Sequence, residues 1–490
     1  MPRDARWRTL DHPFPIDVLT IFRKYQPRLN QSPFVPPATI LFLAPHRHPR
    51  LRYVLKELGR DLGYKFRLFT DQLKWESADG DYRITYGVEV PSSGAVELPA
   101  HDFLAGSHPS GEDLRVVSPN GHPVFFHAGS GRGTVRHQCD LLACVFFCLS
   151  RYEEYGATTY DRHGRFSGAN SHASRNGYLT QPVVRMWTGL IGALLKEAYP
   201  NLPPARHHNL YFQPTYDIDL LWAYHHRGLR GLASGVRDLL NGHGTRVRAR
   251  FTTKPDEDPY QNLAYLIGLT SSENSATWMA LPQIFWLLAD NADHRDSNAF
   301  PIPRRQKEIM VELKGLAYHG IHPGYQSWLG HERIRTELDR LRDILGAAPT
   351  HSRQHFLRLR LPETYDALLL AGIDNDHTMG YADAVGWRSG TNLPHKWYDL
   401  RRETATRLLV HPFAAMDVTL KNYLKLSPWQ AITAVLGLAR SCQPYGGPFP
   451  LLWHNSSFAT EFGWAGWAEA YESIILELRN LMSEFDGQAR

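Results

Sequence analysis

The 490-residue chain has little of what most readily announces a function. It carries four cysteines, Cys139, Cys144, Cys148 and Cys442. Three of them sit in one apolar run, QCDLLACVFFCLSRYEEY, without the CxxC spacing of a zinc module. Cys144 and Cys148 are one helical turn apart, the spacing of buried thiols packed side by side, so core thiols are expected. The opening strand-helix-strand pattern, PATILFLAP, RLRYVLKELGRDLGY and KFRLFTD, has no Gly-rich loop at its first turn, which argues against a dinucleotide site. The net charge of +5 is small for this length and makes no case for nucleic acid or an anionic membrane. The densest basic stretch, His225 to Lys254 with Arg227, Arg230, Arg237, Arg246, Arg248 and Arg250, lacks interleaved aromatics and reads as a solvated helix-and-loop surface. No apolar run is long enough to span a bilayer, and MPRDARWRTLDHPFPIDVLTIF lacks the apolar centre of a signal peptide, so a cytoplasmic location is expected. No internal repeat is visible.

What the chain does have is material for cores. A 43% apolar and 12% aromatic content excludes a largely disordered protein, and the length suggests two domains. YPNLPPARHHN reads as a linker, which divides the chain into an α/β domain over residues 1–204 and a second domain over 205–490. The first holds strand-like stretches around Tyr82 to Val90 and Val124 to His127, the cysteine-bearing helix, and a long polar loop, YEEYGATTYDRHGRFSGANSHASRNGYL. Loops of that length inside a domain are usually functional or mobile. Its segment Tyr160 to Tyr178, with Arg162, His163 and Arg165, is a candidate contact for a phosphate or uronate at the mouth of a site, though a solvated loop is the commoner outcome. The second domain alternates short apolar runs with helical periods, which predicts a parallel sheet under covering helices, open or closed into a barrel.

Five polar clusters punctuate that second half: TYDID (Thr215 to Asp219), GIHPGYQS (Gly320 to Ser327), SRQHFLRLRLP (Ser352 to Pro362), GIDNDHTMGYAD (Gly372 to Asp383) and LLWHNSS (Leu451 to Ser457). Each follows a short apolar or β-prone run, and strand C-termini are where open α/β and barrel folds place their chemistry. Side chains alternate along a strand, so Asp217 and Asp219 point the same way. Two carboxylates so close repel, and a division of labour relieves this: one binds a metal, the other stays free as a base. His322 is then a candidate ligand, His454 a candidate acid, and Arg353 a candidate partner for Asp217 or Asp376. His355, two residues after Arg353, is either a third ligand or a hydrogen-bond donor to substrate.

Together the five clusters resemble the polysaccharide deacetylase superfamily, the carbohydrate-esterase-like NodB-homology group with a distorted (β/α) barrel. The resemblance implies Asp217 as general base, Asp219 and His322 as ligands of a divalent metal with zinc first, Arg353 orienting the base, Asp376 near Arg353, Leu451 on the pocket wall and His454 as general acid. Tyr325, Trp453 and Arg388 join Leu451 as candidate substrate contacts, and tryptophans near the clusters offer faces for a sugar. The strings RQHFLRLRLPETYDALLLAGIDNDHTMGYADAVGWRSGT and GGPFPLLWHNS, with FFCLSRYEEY and YDRHGRF earlier, look more particularly like a bacterial branch with an N-terminal domain of unknown function and no established substrate. The implied activity is removal of an N-acetyl or O-acyl group from an amino sugar in a glycan or glycolipid precursor, phosphorylated or lipid-linked. The competing expectation is a carbohydrate-binding protein on a degenerate barrel.

One departure bears on both. The second motif of that superfamily supplies two histidines four apart, and the position four after His322 is Gln326, whose amide oxygen is a weak zinc ligand. His355 or His319 replaces the missing imidazole, or metal is held weakly or not at all. Strand alternation points His319 away from His322 unless the backbone turns at Gly320, so His355 is the preferred replacement.

Overall fold

The computed structural model describes residues 37–91, 93–128, 138–270, 278–290 and 292–488. The leading segment MPRDARWRTLDHPFPIDVLTIF and the rest of residues 1–36 lie outside the described residues, as does that part of the domain expected over 1–204. The fold is α/β with two parallel sheets. The smaller sheet holds β1 (Thr39–Leu43), β2 (Lys65–Phe69), β3 (Tyr82–Tyr86) and β4 (Val96–Leu98), all parallel in the order β2-β1-β3-β4. Its first crossover is α1 (Pro49–Leu62), opened by a His48 side chain that caps Arg50 N–H and closed by Gly63 at φ 77°. The cysteine-bearing helix α2 (Leu141–Ser150) is buried on every side and so carries no amphipathic stripe. All four cysteines are free and buried. Val124 and His127, expected in a strand, make only isolated bridges to Val117 and Cys139.

After α3 (Val183–Ala198) the chain enters the larger sheet at β5 (Leu210–Ile218) and continues through β6 (Gln283–Leu287), β7 (Tyr318–His322), β8 (His351–Ser352) and β9 (Asn375–Asp376). β10 (His395–Asp399), β11 (Thr404–Val410), β12 (Ala415–Met416) and β13 (Gly447–His454) complete it. The order is β10-β11-β9-β8-β7-β6-β5-β13-β12, and every ladder is parallel except the β10–β11 hairpin. Taken around from β5, the parallel strands follow chain order and return through β12 and β13. Among the described residues no ladder joins β11 to β12.

Register sorts the side chains into two faces. Asp217 stands opposite His454 on β13 and Phe285 on β6, and Phe285 stands opposite Gly320 on β7. These share the inner face. Tyr216, Trp286, Ile321 and Trp453 take the other face and form one core with the covering helices α4 (Arg304–Glu312), α5 (His331–Leu345), α6 (Glu363–Ala371), α7 (Pro428–Cys442) and α8 (Trp467–Gln488). Gly320 is required on the inner face, because a Cβ there would lie 2.7 Å from the Phe285 ring. That ring in turn supports the Arg353 guanidinium, 4.4 Å from its centroid.

Two strands come out shorter than their sequences suggest. THSRQHF is strand only at His351–Ser352, because Phe356 and Leu357 adopt φ 60° and 54° and wind residues 355–357 into a tight turn. GIDNDHT is strand only at Asn375–Asp376, where the Asp376 carboxylate accepts the Thr378 N–H and turns the chain away.

Candidate metal centre and active site

The paired carboxylates, the arginine and the histidines that the clusters supply to one site lie at or just beyond the C-terminal ends of the large sheet's strands. Asp217 is the penultimate residue of β5 and Asp219 the first beyond it; His322 ends β7, Arg353 follows β8, and His454 ends β13. The tight turn after β8 brings His355 round beside His322, their rings 5.0 Å apart. Asp219 Oδ1 lies 3.2 Å from His322 Nε2, and Asp219 Oδ2 lies 3.6 Å from His355 Nε2. These three residues present ligand atoms that all lie within 4.8 Å of one another.

The second nitrogen of each ring fixes its orientation. His322 Nδ1 donates to the Arg353 carbonyl at 2.6 Å, since a carbonyl only accepts, which leaves Nε2 facing Asp219. His355 Nδ1 pairs with Asp296 Oδ1 at 3.0 Å, and Asp296 is itself buried and bound to the Tyr325 N–H. Imidazoles oriented by a carbonyl and a carboxylate on the far nitrogen are a common arrangement of metal-ligating histidines. Asp219 Oδ1 is buried and has no hydrogen-bond partner. An orphaned carboxylate oxygen facing two oriented imidazoles is a donor set that fits a divalent ion. Burial pushes the Asp219 carboxyl up, but His355, His322 and His454 outweigh it and hold it well below the usual carboxylate range. Burial likewise pulls His355 down, and the carboxylates of Asp219 and Asp296 lift it to about 9.

Flanking this set, Asp217 is buried and takes Arg353 Nη1 on Oδ1 at 2.9 Å, while Oδ2 faces His322 Nε2 at 3.7 Å. Arg353 also donates Nε to the His377 carbonyl, so the guanidinium has one orientation. Opposite stands His454, Nε2 4.0 Å from Asp219 Oδ2. Asp417, just beyond β12, accepts His454 Nδ1 at 2.8 Å on one oxygen and the His454 backbone N–H at 2.7 Å on the other. Burial lowers the His454 imidazole, and Asp417 first, then Asp219 and Asp217, raise it to about 10. Asp219 is 29% exposed and His454 13%, so the cleft opens to solvent over these two.

Several candidates from the sequence lie elsewhere. Asp376 lies near enough to Arg353 for their charges to act on each other but makes no hydrogen bond to it: it stands opposite Ser352, on the outer face, and accepts from Tyr365 of α6 and from Thr378. Leu451 and Trp453 also face outward, because β13 puts His454 inward and alternation carries its odd-numbered neighbours into the helix core. The inward leucine is Leu452, packed with Leu357, Phe413 and Met416. Arg388 is buried in a two-pronged ion pair with Glu154 and gives its remaining terminal nitrogen to the Gly380 carbonyl. Tyr325 is buried beside the cleft, its hydroxyl on His163 Nδ1 at 3.0 Å. His319 points to the opposite face, accepts Trp286 Nε1–H, and burial lowers it to about 4. Gln326 is turned to Asp293.

Asp296 and Asp417 are absent from the sequence reading. Neither lies in a recognisable cluster, though Asp417 does follow a short apolar run, FAAM. The polar loop of the first half does reach the rim. The His163 ring lies 5.0 Å from that of Phe356, tilted by 44°, Arg165 donates to the Phe356 carbonyl and the Tyr423 hydroxyl, and Arg162 stays exposed beside them.

A second histidine group, His351, His377 and His411, lies at the other end of the sheet's inner face. The rings of His377 and His411 are stacked 4.2 Å apart and 7° from parallel, so their in-plane lone pairs run side by side and do not converge on one ion.

Residues 40–200 match a family of unknown function, DUF7033, which spans the smaller sheet and the core around it. No curated protein matches the chain. Among solved structures, a candidate polysaccharide deacetylase from Mycobacterium smegmatis is similar over 59% of this chain and 94% of its own, with 14% identity and a TM-score of 0.34. A likeness at that level leaves function to the geometry of the site itself.

Proposed function

We propose that the chain is a metal-dependent hydrolase that removes an acyl group, N-acetyl first, from an amino sugar, on an opened (β/α) barrel of the deacetylase type. One observation carries this reading. A carboxylate oriented by a buried arginine and an imidazole oriented by a buried carboxylate flank a three-residue donor set from different strands. Asp219, His322 and His355 would hold the ion, with zinc favoured by two imidazoles and one carboxylate. A divalent ion bound there supplies a Lewis acid that polarises an acyl carbonyl and acidifies water. Asp217, with Oδ1 engaged by Arg353, keeps Oδ2 to accept a proton from the attacking water. His454, with Nδ1–H engaged by Asp417, offers Nε2 to hand a proton to the departing amine.

The order of the five clusters supports the carbohydrate class. The residues of 1–204 and 205–490 then act as two parts of one site, the first lending His163, Arg165 and Arg162 to the rim. The binding-protein reading is less well served. Trp222, Trp387, Trp397, Trp453 and Trp467 are buried, and a binder has no use for two separately oriented proton-transfer groups. The test is metal content together with acetate release from N-acetylated sugars and an activated acetyl ester. The expectation is about one divalent ion per chain. Asp219→Ala should lose metal and turnover, whereas Asp217→Asn and His454→Ala should keep metal and lose turnover by about 10²-fold or more. Reconstituted wild type with neither metal nor acetate release would sink the proposal.

A further inference from the structure

The segment after Asp219 forms two helices, 228–240 and 244–252, whose amphipathicity is inverted. Leu229, Leu232, Val236, Leu239 and Leu240 fall within an arc of roughly 100° on the first helix, and each is 58–83% exposed. Phe251 of the second helix is 85% exposed. The polar side faces the protein. Asp238 is buried against Arg250 at 2.6 Å and Arg246 at 3.6 Å, and Arg230 donates to the main-chain carbonyl of Asp296. A surface helix of a self-contained globular protein does the reverse.

The border of the apolar face is cationic. From His225 to Lys254 the chain has seven Arg and Lys side chains and one acid, Asp238, which is buried and already paired. Arg237 and Arg248 remain exposed, while the exposed Lys254 pairs with Glu257 at 3.7 Å. This charge decides among occupants. A second copy would bring cations against cations, and residues 1–36 carry six basic side chains against three acidic ones. An aliphatic stripe edged by arginine and lysine suits an anionic lipid surface, with the stripe at the acyl boundary and the cations among phosphates.

We propose that helices 228–240 and 244–252 dock the protein on an anionic bilayer. The first helix begins nine residues after Asp219, and Arg230 ties it to the same Asp296 that orients His355. Docking therefore holds the cleft close to the membrane surface. Resting on the hydrolase reading, the acyl-bearing substrate is then carried on a lipid.

The test is sedimentation of the purified full chain with vesicles of phosphatidylcholine, alone or with about a third phosphatidylglycerol. Wild type should partition onto the anionic vesicles at least about 10-fold more strongly, and less so in high salt. Leu232→Glu with Val236→Glu should abolish this without changing thermal stability or metal content, and Arg237→Ala with Arg248→Ala should weaken it. Wild type left in the supernatant with both vesicle types overturns the proposal. So does a dimer that the Leu232→Glu, Val236→Glu variant dissociates while no vesicle binding occurs. Binding is read without metal or substrate, so loss of metal or turnover in the same preparation counts against the hydrolase alone.

Discussion

Arg388 and Glu154 make a sharp test of the assignment of Arg388 to structure and not to substrate. Arg388 Nε and Nη2 reach the two Glu154 oxygens at 2.9 and 2.5 Å, and Arg151 Nε reaches Oε1 at 2.8 Å, all three residues buried. Unit charges about 4 Å apart attract by about 4 kcal/mol at an effective dielectric near 20. Removing Arg388 deletes one such attraction and leaves Glu154 still paired to Arg151. Removing Glu154 deletes two: Arg151 keeps Glu153 at 2.9 Å, but Arg388 is left a buried guanidinium without a carboxylate. Breaking a buried pair usually costs 3–5 kcal/mol, so Arg388→Ala belongs near the lower end, about 3, and Glu154→Ala at about 5 or beyond. Arg388→Met should do better than Arg388→Ala, because it keeps most of the packing volume without a charge. Denaturant midpoints and slopes, read by far-UV circular dichroism, give the order wild type, Arg388→Met, Arg388→Ala, Glu154→Ala. Equal stability of Arg388→Ala and wild type, with a raised KM for an acetylated sugar, would refute the reasoning and return Arg388 to the substrate.

Asp417→Asn should lower kcat by about 10²–10⁴-fold while KM and metal content stay near wild type, because it weakens the hold on His454 Nδ1–H without touching Asp219, His322 or His355; an unchanged kcat would remove Asp417 from the site. Gly320→Ala places a Cβ 2.7 Å from Phe285 and 2.9 Å from the His351 carbonyl, and should cost about 1–3 kcal/mol in a denaturation series by pushing Phe285 from beneath Arg353. Asp140 is fully buried at the start of α2, and burial pushes its carboxyl up to about 6 against hydrogen bonds from Tyr86, His101 and Ala143. A folded-state value above the unfolded one gives stability that is full below about pH 4 and lost as pH rises through about 6, on the order of 2–3 kcal/mol. Asp140→Asn should flatten that window relative to wild type in matched urea titrations, and parallel curves for the two proteins would count against it.

How far the sequence could be read follows from which features are local. The alternation of apolar runs and helical periods foretold the parallel α/β sheet, and clusters at strand ends foretold that Asp217, Asp219, His322, Arg353, His355 and His454 would meet. Those residues meet because they lie at or just beyond the C-terminal ends of four parallel strands, β5, β7, β8 and β13, which needs no knowledge of register. Parity is different. Whether Leu451 or Leu452 lines the cleft, and whether Asp376 or its neighbour faces Arg353, depends on a one-residue phase that β13 and β9 take from their partners. A strand of two residues, such as Asn375–Asp376, carries no periodicity from which to read it. The residues that orient the imidazoles were hidden for another reason. Asp296 reaches His355 across 59 positions and Asp417 reaches His454 across 37, from segments outside the five clusters. Their role exists only once the sheet has formed, so a sequence that displays its reacting groups at strand ends still conceals the partners that aim them.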